Sequence, residues 1–270
     1  MLNSYFKPLL EKYLDINEKF QNLEAADFID TNALDIMLKN FQKDAYGNFI
    51  ITNNNITPGV CDVLPLYVDL KDKKLKDYLY NSAKEILKEL TDNNIKIFWT
   101  RKETYHISMS LMQDLRPCDM ADKKLLDTRL SADQIKEATK QIEIIVENNP
   151  NLKLELYGLS IGRGGSLTAL FIDNGQYLEL QKKIDDKLNS FSYIPQRKYK
   201  KDMVHMTLAR ILEPVSEKLF FNIKKKIKNY YNLLDDKQYL EVNEIIFAHE
   251  IQWMHEKIES GSEVELKLKS

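Results

Sequence analysis

The chain has 270 residues, of which 43% are hydrophobic and 30% charged, and its formal net charge is -2. This composition is typical of a globular protein with a sizeable core, and the near-neutral charge excludes an extended nucleic-acid-binding surface. The two cysteines form no CxxC pattern, which excludes a disulfide framework and a cysteine zinc site. No apolar run approaches the ~18 residues of a membrane span and the first residues lack a signal-peptide pattern, so we expect a cytoplasmic protein without membrane contact.

The first part of the chain is predicted to be helical. Apolar residues recur at helical spacing around Leu9 and Tyr13 and again from Leu34 to Phe41. Residues 43–48 then indicate a turn and residues 50–58 an Asn-rich loop. We therefore predict an N-terminal helical extension over residues 1–45.

The remainder of the chain follows one order of elements twice. The first half predicts strand 63–70, helix 74–90, strands 95–99 and 105–111, helix 131–146 capped by Ser131, and strand 152–160. The second half predicts strand 167–172, helix 175–188, strand 204–209, helix 214–230 and strand 239–248. This order predicts an α+β fold: a bilobal, duplicated pair of antiparallel-rich sheets with outer helices, facing a central cleft. We expect a single domain over residues 46–270, with lobes at approximately 60–160 and 165–250.

Two short segments repeat one pattern. The first contains His106 and Ser108, and the second His205 and Thr207, in each case separated by one apolar residue. The two histidines lie 99 positions apart in a chain with four histidines in total. Because alternate residues of a strand point to the same face, each segment presents an imidazole beside a hydroxyl. The repeat predicts that both pairs meet in one cleft.

Two such pairs suit the cleavage of a phosphodiester. An imidazole has an unperturbed pKa of about 6.5 and acts as a base or an acid near neutrality. One histidine would remove a proton from the attacking oxygen while the other protonates the leaving oxygen. The hydroxyls of Ser108 and Thr207 would donate hydrogen bonds to non-bridging phosphate oxygens, so that neither a metal nor a cofactor is required.

Other chemistry is less well supported. One His-x-Ser/Thr segment alone is usually an ordinary strand residue pair, and only the repetition favours catalysis. His249 and His255 lie near Glu250 and Glu256, but the chain has no HExxH motif, and we expect both histidines to be surface or rim residues. A Ser-His-Asp triad is not indicated, because there is no GxSxG motif.

The two motifs make the chain similar to the two-histidine (2H) phosphoesterase superfamily, which includes 2′-5′ RNA ligase-like proteins and cyclic phosphodiesterases. The resemblance covers roughly residues 60–250 and is carried by Tyr105-His106-Ile107-Ser108 and His205-Met206-Thr207-Leu208. It implies a bilobal α+β fold. It also implies that His106 and His205 are the catalytic acid and base and that Ser108 and Thr207 bind phosphate.

Four further residues are candidates for substrate binding. Arg163, in a glycine-rich turn, would hold a phosphate, although a simple hairpin connection explains the turn as well. Arg210 follows the second motif and would reach a phosphate or pair with Glu213. Trp99 and Tyr105 precede the first motif and would stack on a base, with core packing as the alternative for Trp99.

These observations predict a metal-independent phosphodiesterase that acts on an RNA end, a 2′,5′-linked nucleotide or a cyclic nucleotide. Two alternatives stay open, namely a nucleotide-binding module without turnover and an RNA ligase that runs the reverse reaction. The near-neutral charge favours a nucleotide or short RNA over long RNA as the partner. No feature of the sequence indicates an oligomeric state.

Overall fold

The structure is a computed structural model that describes residues 5–24, 28, 31–116, 123–162, 164–195, 203–230 and 238–269. Its helices are α1 (Phe6–Asn22), α2 (Thr31–Leu38), α3 (Lys73–Asp92), α4 (Lys123–Leu126), α5 (Ala132–Glu147), α6 (Gln176–Asn189) and α7 (Glu217–Ile227). Its strands are β1 (Ile51–Thr52), β2 (Asn55–Ile56), β3 (Val60–Asp69), β4 (Ile97–Trp99), β5 (His106–Leu115), β6 (Leu152–Ile161), β7 (Ser166–Ile172), β8 (His205–Ile211), β9 (Tyr239–Val242), β10 (Glu244–Phe247), β11 (Glu250–Gln252), β12 (Lys257–Ile258) and β13 (Val264–Lys267).

Helices α3 and α5 begin where capping side chains satisfy free backbone N–H groups. The Asp72 carboxylate accepts the N–H of Leu75 at 2.7 Å at the start of α3. At the start of α5, Ser131 and Gln134 form a reciprocal capping box, which confirms the predicted cap. Both helices then place apolar residues at i, i+3 and i+4 on one buried face, which holds each helix against the strands.

The strands form two larger antiparallel sheets. The first has the order β12-β11-β3-β10-β13, with β5 paired to the other edge of β3. The second has the order β4-β8-β7-β6-β9. Helices α5 and α6 pack against the first sheet, α1 and α3 pack against the second, and β5 and β8 lie against one another where the sheets meet. The predicted α+β fold of antiparallel sheets with outer helices is confirmed.

Each of the two sheets contains strands from both lobes expected from the sequence. Strands β4 and β6 belong to the first half of the chain but pair in the second sheet. The predicted strand 239–248 is two strands, because the chain leaves the second sheet after β9 and enters the first as β10, with Asn243 between them. Strands β1, β2 and β11–β13, each two to four residues long, were not predicted. The division into an extension and one domain stays a prediction.

The N-terminal helix α1 is joined to the second sheet by buried hydrogen bonds of one tyrosine. Tyr13 has no exposed surface, and its hydroxyl accepts the N–H of Val204 at 3.0 Å and donates to the carbonyl of Phe171 at 2.8 Å. The hydroxyl therefore links β7 to the residue that precedes β8. No helix within the described residues is long and apolar enough to cross a membrane.

Candidate active site

Both histidine motifs lie at the beginning of a strand. His106 and Ser108 open β5, whereas His205 and Thr207 open β8. All four side chains are half-buried, and the apolar residues between them are fully buried. Because β5 and β8 are in contact, the strands that carry the two motifs are brought together although they belong to different sheets.

Each motif strand contains an extra residue directly after its hydroxyl residue. In β5, Ser108 is opposite Tyr67 and Ser110 is opposite Leu66, so that the residue between the two serines is inserted. Ser110 therefore faces away from Ser108, and it donates a hydrogen bond to Asp185 of α6.

The extra residue in β8 redirects Arg210. Thr207 is opposite Thr168 and Arg210 is opposite Ser166, and these two partners lie on one face of β7. Arg210 therefore shares a face with His205 and Thr207, whereas strict alternation would place it on the other face. A bulge at this position aims a cation toward the motif.

A backbone hydrogen bond fixes the proton on the His106 ring. Nδ1 lies 2.8 Å from the carbonyl oxygen of Thr104. A carbonyl only accepts, so Nδ1 carries the proton and Nε2 is the unprotonated nitrogen of the neutral ring. Asp69 is directly opposite His106 in the β3–β5 pairing, and burial raises the pKa of its carboxyl above the usual range.

A third histidine lies against the first motif. The ring of His255 is stacked on that of His106 with 3.5 Å between centroids and 6° between planes, and Tyr67 packs edge-on against both rings. His255 is 7% exposed. The expectation that His255 is a surface or rim residue is therefore wrong, whereas His249 is partly exposed and bonds to two carboxylates.

His255 is held by a buried carboxylate. The backbone N–H of His255 donates to Oε1 of Glu250 at 2.8 Å, and Nε2 of the His255 ring lies 3.6 Å from Oε2. Glu250 is 4% exposed, and burial raises its pKa to about 7. No sequence motif points to this pair, because the pairing of β11 with β3 brings the two residues to His106.

Arg210 is a partly bonded cation beside the second motif. Its Nη1 donates to the Ser166 hydroxyl at 2.6 Å, and its guanidinium lies 5.4 Å from the centre of the Trp253 ring. Burial, with a smaller effect of Arg116, lowers its pKa to about 10, so it stays charged at neutral pH. Its Nε is buried and has no hydrogen-bond partner among the described residues. Glu213, the alternative partner in the sequence, pairs with Lys96.

Three other residues are predicted from the sequence to bind substrate. Tyr105 has no exposed surface, so it does not line a cleft, and burial raises the pKa of its hydroxyl. Trp99 pairs with Ala209, and Lys84 of α3 lies 3.4 Å from its ring centre, which is the packing alternative. Arg163 lies outside the described residues.

No protein-family profile and no curated protein matches the sequence. Among solved structures, the chain is similar to TT0787 of Thermus thermophilus, with a TM-score of 0.53, 12% identity, and coverage of 77% of this chain and 100% of that chain. Other similar structures are Escherichia coli LigT complexed with phosphate (TM-score 0.43, 12% identity, 78% and 100% coverage) and Kluyveromyces marxianus Usb1 (0.47, 10%, 76% and 98%). Only the first has a TM-score above 0.5, and at 12% identity it shows a shared fold.

Proposed function

We propose that this chain is a metal-independent phosphodiesterase that acts on an RNA end, a 2′,5′-linked nucleotide or a cyclic nucleotide. The observation that carries the proposal is the meeting of two strands, each of which begins with a half-buried histidine and a hydroxyl on the same face. Two imidazoles and two hydroxyls supply one base, one acid and two hydrogen-bond donors for a single phosphate.

The proposed reaction uses one histidine on each side of the phosphorus. The first imidazole takes the proton of the attacking water or ribose hydroxyl as the new P–O bond forms. The second gives a proton to the leaving oxygen as the old P–O bond breaks, and solvent then restores both rings. The bond from Nδ1 of His106 to Thr104 keeps Nε2 as the reacting nitrogen in both charge states.

The phosphate would be held by groups that match its charge. Ser108 and Thr207 would donate to non-bridging oxygens, and the buried Nε of Arg210 offers a further donor on a group that is charged at neutral pH. These donors strengthen as negative charge grows on the phosphate oxygens, which is the condition for accelerating the chemical step.

A substrate panel in EDTA tests the proposal. The full chain is incubated with 2′,3′-cyclic nucleotides and with 2′,5′- and 3′,5′-linked dinucleotides, and products are separated by chromatography. We expect cleavage of at least one linkage, its loss in the double variant His106→Ala/His205→Ala, and its retention in the control His249→Ala. Cleavage that survives the double substitution, or that requires an added metal, overturns the proposal. Ends with a 2′,3′-cyclic phosphate and a 5′-hydroxyl are included, since joining them would indicate a ligase.

A further inference from the structure

The contact between His255 and His106 is a face-to-face stack. The two rings are parallel within 6° and 3.5 Å apart, which leaves no space between them. Tyr67 closes the same side, with its ring centre 4.6 Å from that of His255 and 5.5 Å from that of His106. The Tyr67 hydroxyl donates to Glu263 at 3.0 Å and is therefore fixed in turn. One face of the His106 ring is thus covered by groups that the two motifs do not supply.

The backbone that delivers His255 is strained. Met254 and His255 have φ angles of 65° and 54°, in the left-handed region that side chains other than glycine rarely adopt. Two successive residues of this kind are energetically costly and persist only where the surroundings hold them. The hydrogen bond from the backbone N–H of His255 to the buried Glu250 carboxylate is one of the contacts that hold this turn.

The same turn reaches the second motif strand. Trp253 lies beside the guanidinium of Arg210 in β8. The backbone N–H of Trp253 donates to the carbonyl of Gly59 at 3.1 Å. Phe41 packs edge-on against the indole with 5.4 Å between ring centres. The turn that carries His255 is therefore anchored to both sheets, and the ring of His255 has a fixed place relative to both motifs.

We propose that His255, held by Glu250, is a positioning residue that fixes the ring plane of His106 and so aims its Nε2 at the reacting oxygen. The Nδ1 bond to Thr104 fixes one end of the His106 ring. The flat ring of His255, stacked on it at van der Waals distance, opposes rotation about the Cβ–Cγ bond. Because proton transfer depends on the alignment of donor and acceptor, holding the plane raises the rate of the chemical step.

Three substitutions separate the effect of the flat His255 ring from the effects of its nitrogens and of the left-handed backbone. His255→Asn removes the ring and keeps a residue that tolerates the left-handed backbone. His255→Phe keeps a flat ring and removes both nitrogens. His249→Asn is the matched control, since this histidine bonds to Asp62 and Glu259.

The first readout is the nitrogen NMR spectrum of the His106 ring in the full chain, which requires no substrate. We expect the wild type, His255→Phe and His249→Asn to show a protonated Nδ1 and a bare Nε2 in the neutral ring. In His255→Asn we expect the two nitrogen signals to move toward each other, because a ring that is free to turn away from the Thr104 carbonyl exchanges between its two tautomers. Unchanged signals in His255→Asn overturn the proposal.

The second readout rests on the proposed function and uses whichever phosphodiester the chain cleaves. We expect His255→Asn to lower kcat by about 10- to 100-fold with KM within about 2-fold, and His255→Phe to keep kcat within about 3-fold. A raised KM with unchanged kcat contradicts the proposal, because it would make His255 a substrate contact. If no phosphodiester is cleaved, the proposed function fails while the NMR result still decides the role of His255.

Discussion

The buried carboxyl group of Glu250 makes the unfolding free energy of the chain depend on pH. The carboxyl group is 4% exposed, and its pKa rises from the ordinary 4.5 to about 7, chiefly because burial penalises the charged form. The folded state therefore retains the proton between pH 4.5 and 7, where the unfolded chain has lost it. Stability is greatest below pH 4.5 on account of this group and falls as the pH rises toward 7. The difference of roughly 2.5 pKa units corresponds to about 3 kcal/mol of unfolding free energy.

The substitution Glu250→Gln removes this dependence while it keeps an oxygen that accepts the His255 N–H. We expect the variant to gain stability relative to the wild type as the pH rises from 4.5 to 8, by about 3 kcal/mol in total. Urea unfolding at four pH values, followed by circular dichroism, measures the difference, and all other titrating groups cancel in it.

An exposed carboxylate provides the control for this comparison. Glu241→Gln changes a surface strand residue of β9, so we expect its unfolding free energy to follow the wild type at every pH. If the curves of wild type and Glu250→Gln run parallel from pH 4.5 to 8, then Glu250 does not hold a proton in the folded state and the reasoning is refuted.

Two further substitutions test how the second motif is held and used. Tyr13→Phe removes the hydroxyl that lies between Val204 and Phe171, so we expect a loss of about 1–3 kcal/mol in urea unfolding; an unchanged midpoint would show that the strands pair without it. Arg210→Gln removes a charged donor, and we expect kcat/KM for phosphodiester cleavage to fall about 10- to 100-fold, whereas the control Arg129→Gln, which loses a pair with Asp62, keeps wild-type values. Equal activity of both arginine variants would exclude Arg210 from substrate binding.

Local patterns in the sequence define the strands that carry the motifs. The alternation around His106 and His205 is a property of neighbouring residues, and both strands occur where it predicts them. The bulges that follow Ser108 and Thr207 break the same alternation. They arise from the pairing with β3 and β7, and for this reason the sequence alone placed Arg210 only near the motif.

Long-range pairing accounts for what the sequence did not predict. Strands β10 to β13 belong to the second half of the chain but join the sheet of the first motif. That pairing brings β11, and with it Glu250 and His255, to the neighbourhood of His106. The spacing of His249 and His255 fits no helix or tight loop, and the left-handed backbone that turns His255 inward has no signature in residue type.

The central claim is that His106 and His205 act together as acid and base on one phosphodiester. The pH dependence of kcat/KM in EDTA, for the wild type and for His106→Gln and His205→Gln, tests it most directly. We predict a bell-shaped profile for the wild type and a fall of at least about 100-fold in each single variant. A variant that retains wild-type kcat/KM, or a wild-type profile with no dependence on pH between 5 and 9, would contradict the claim.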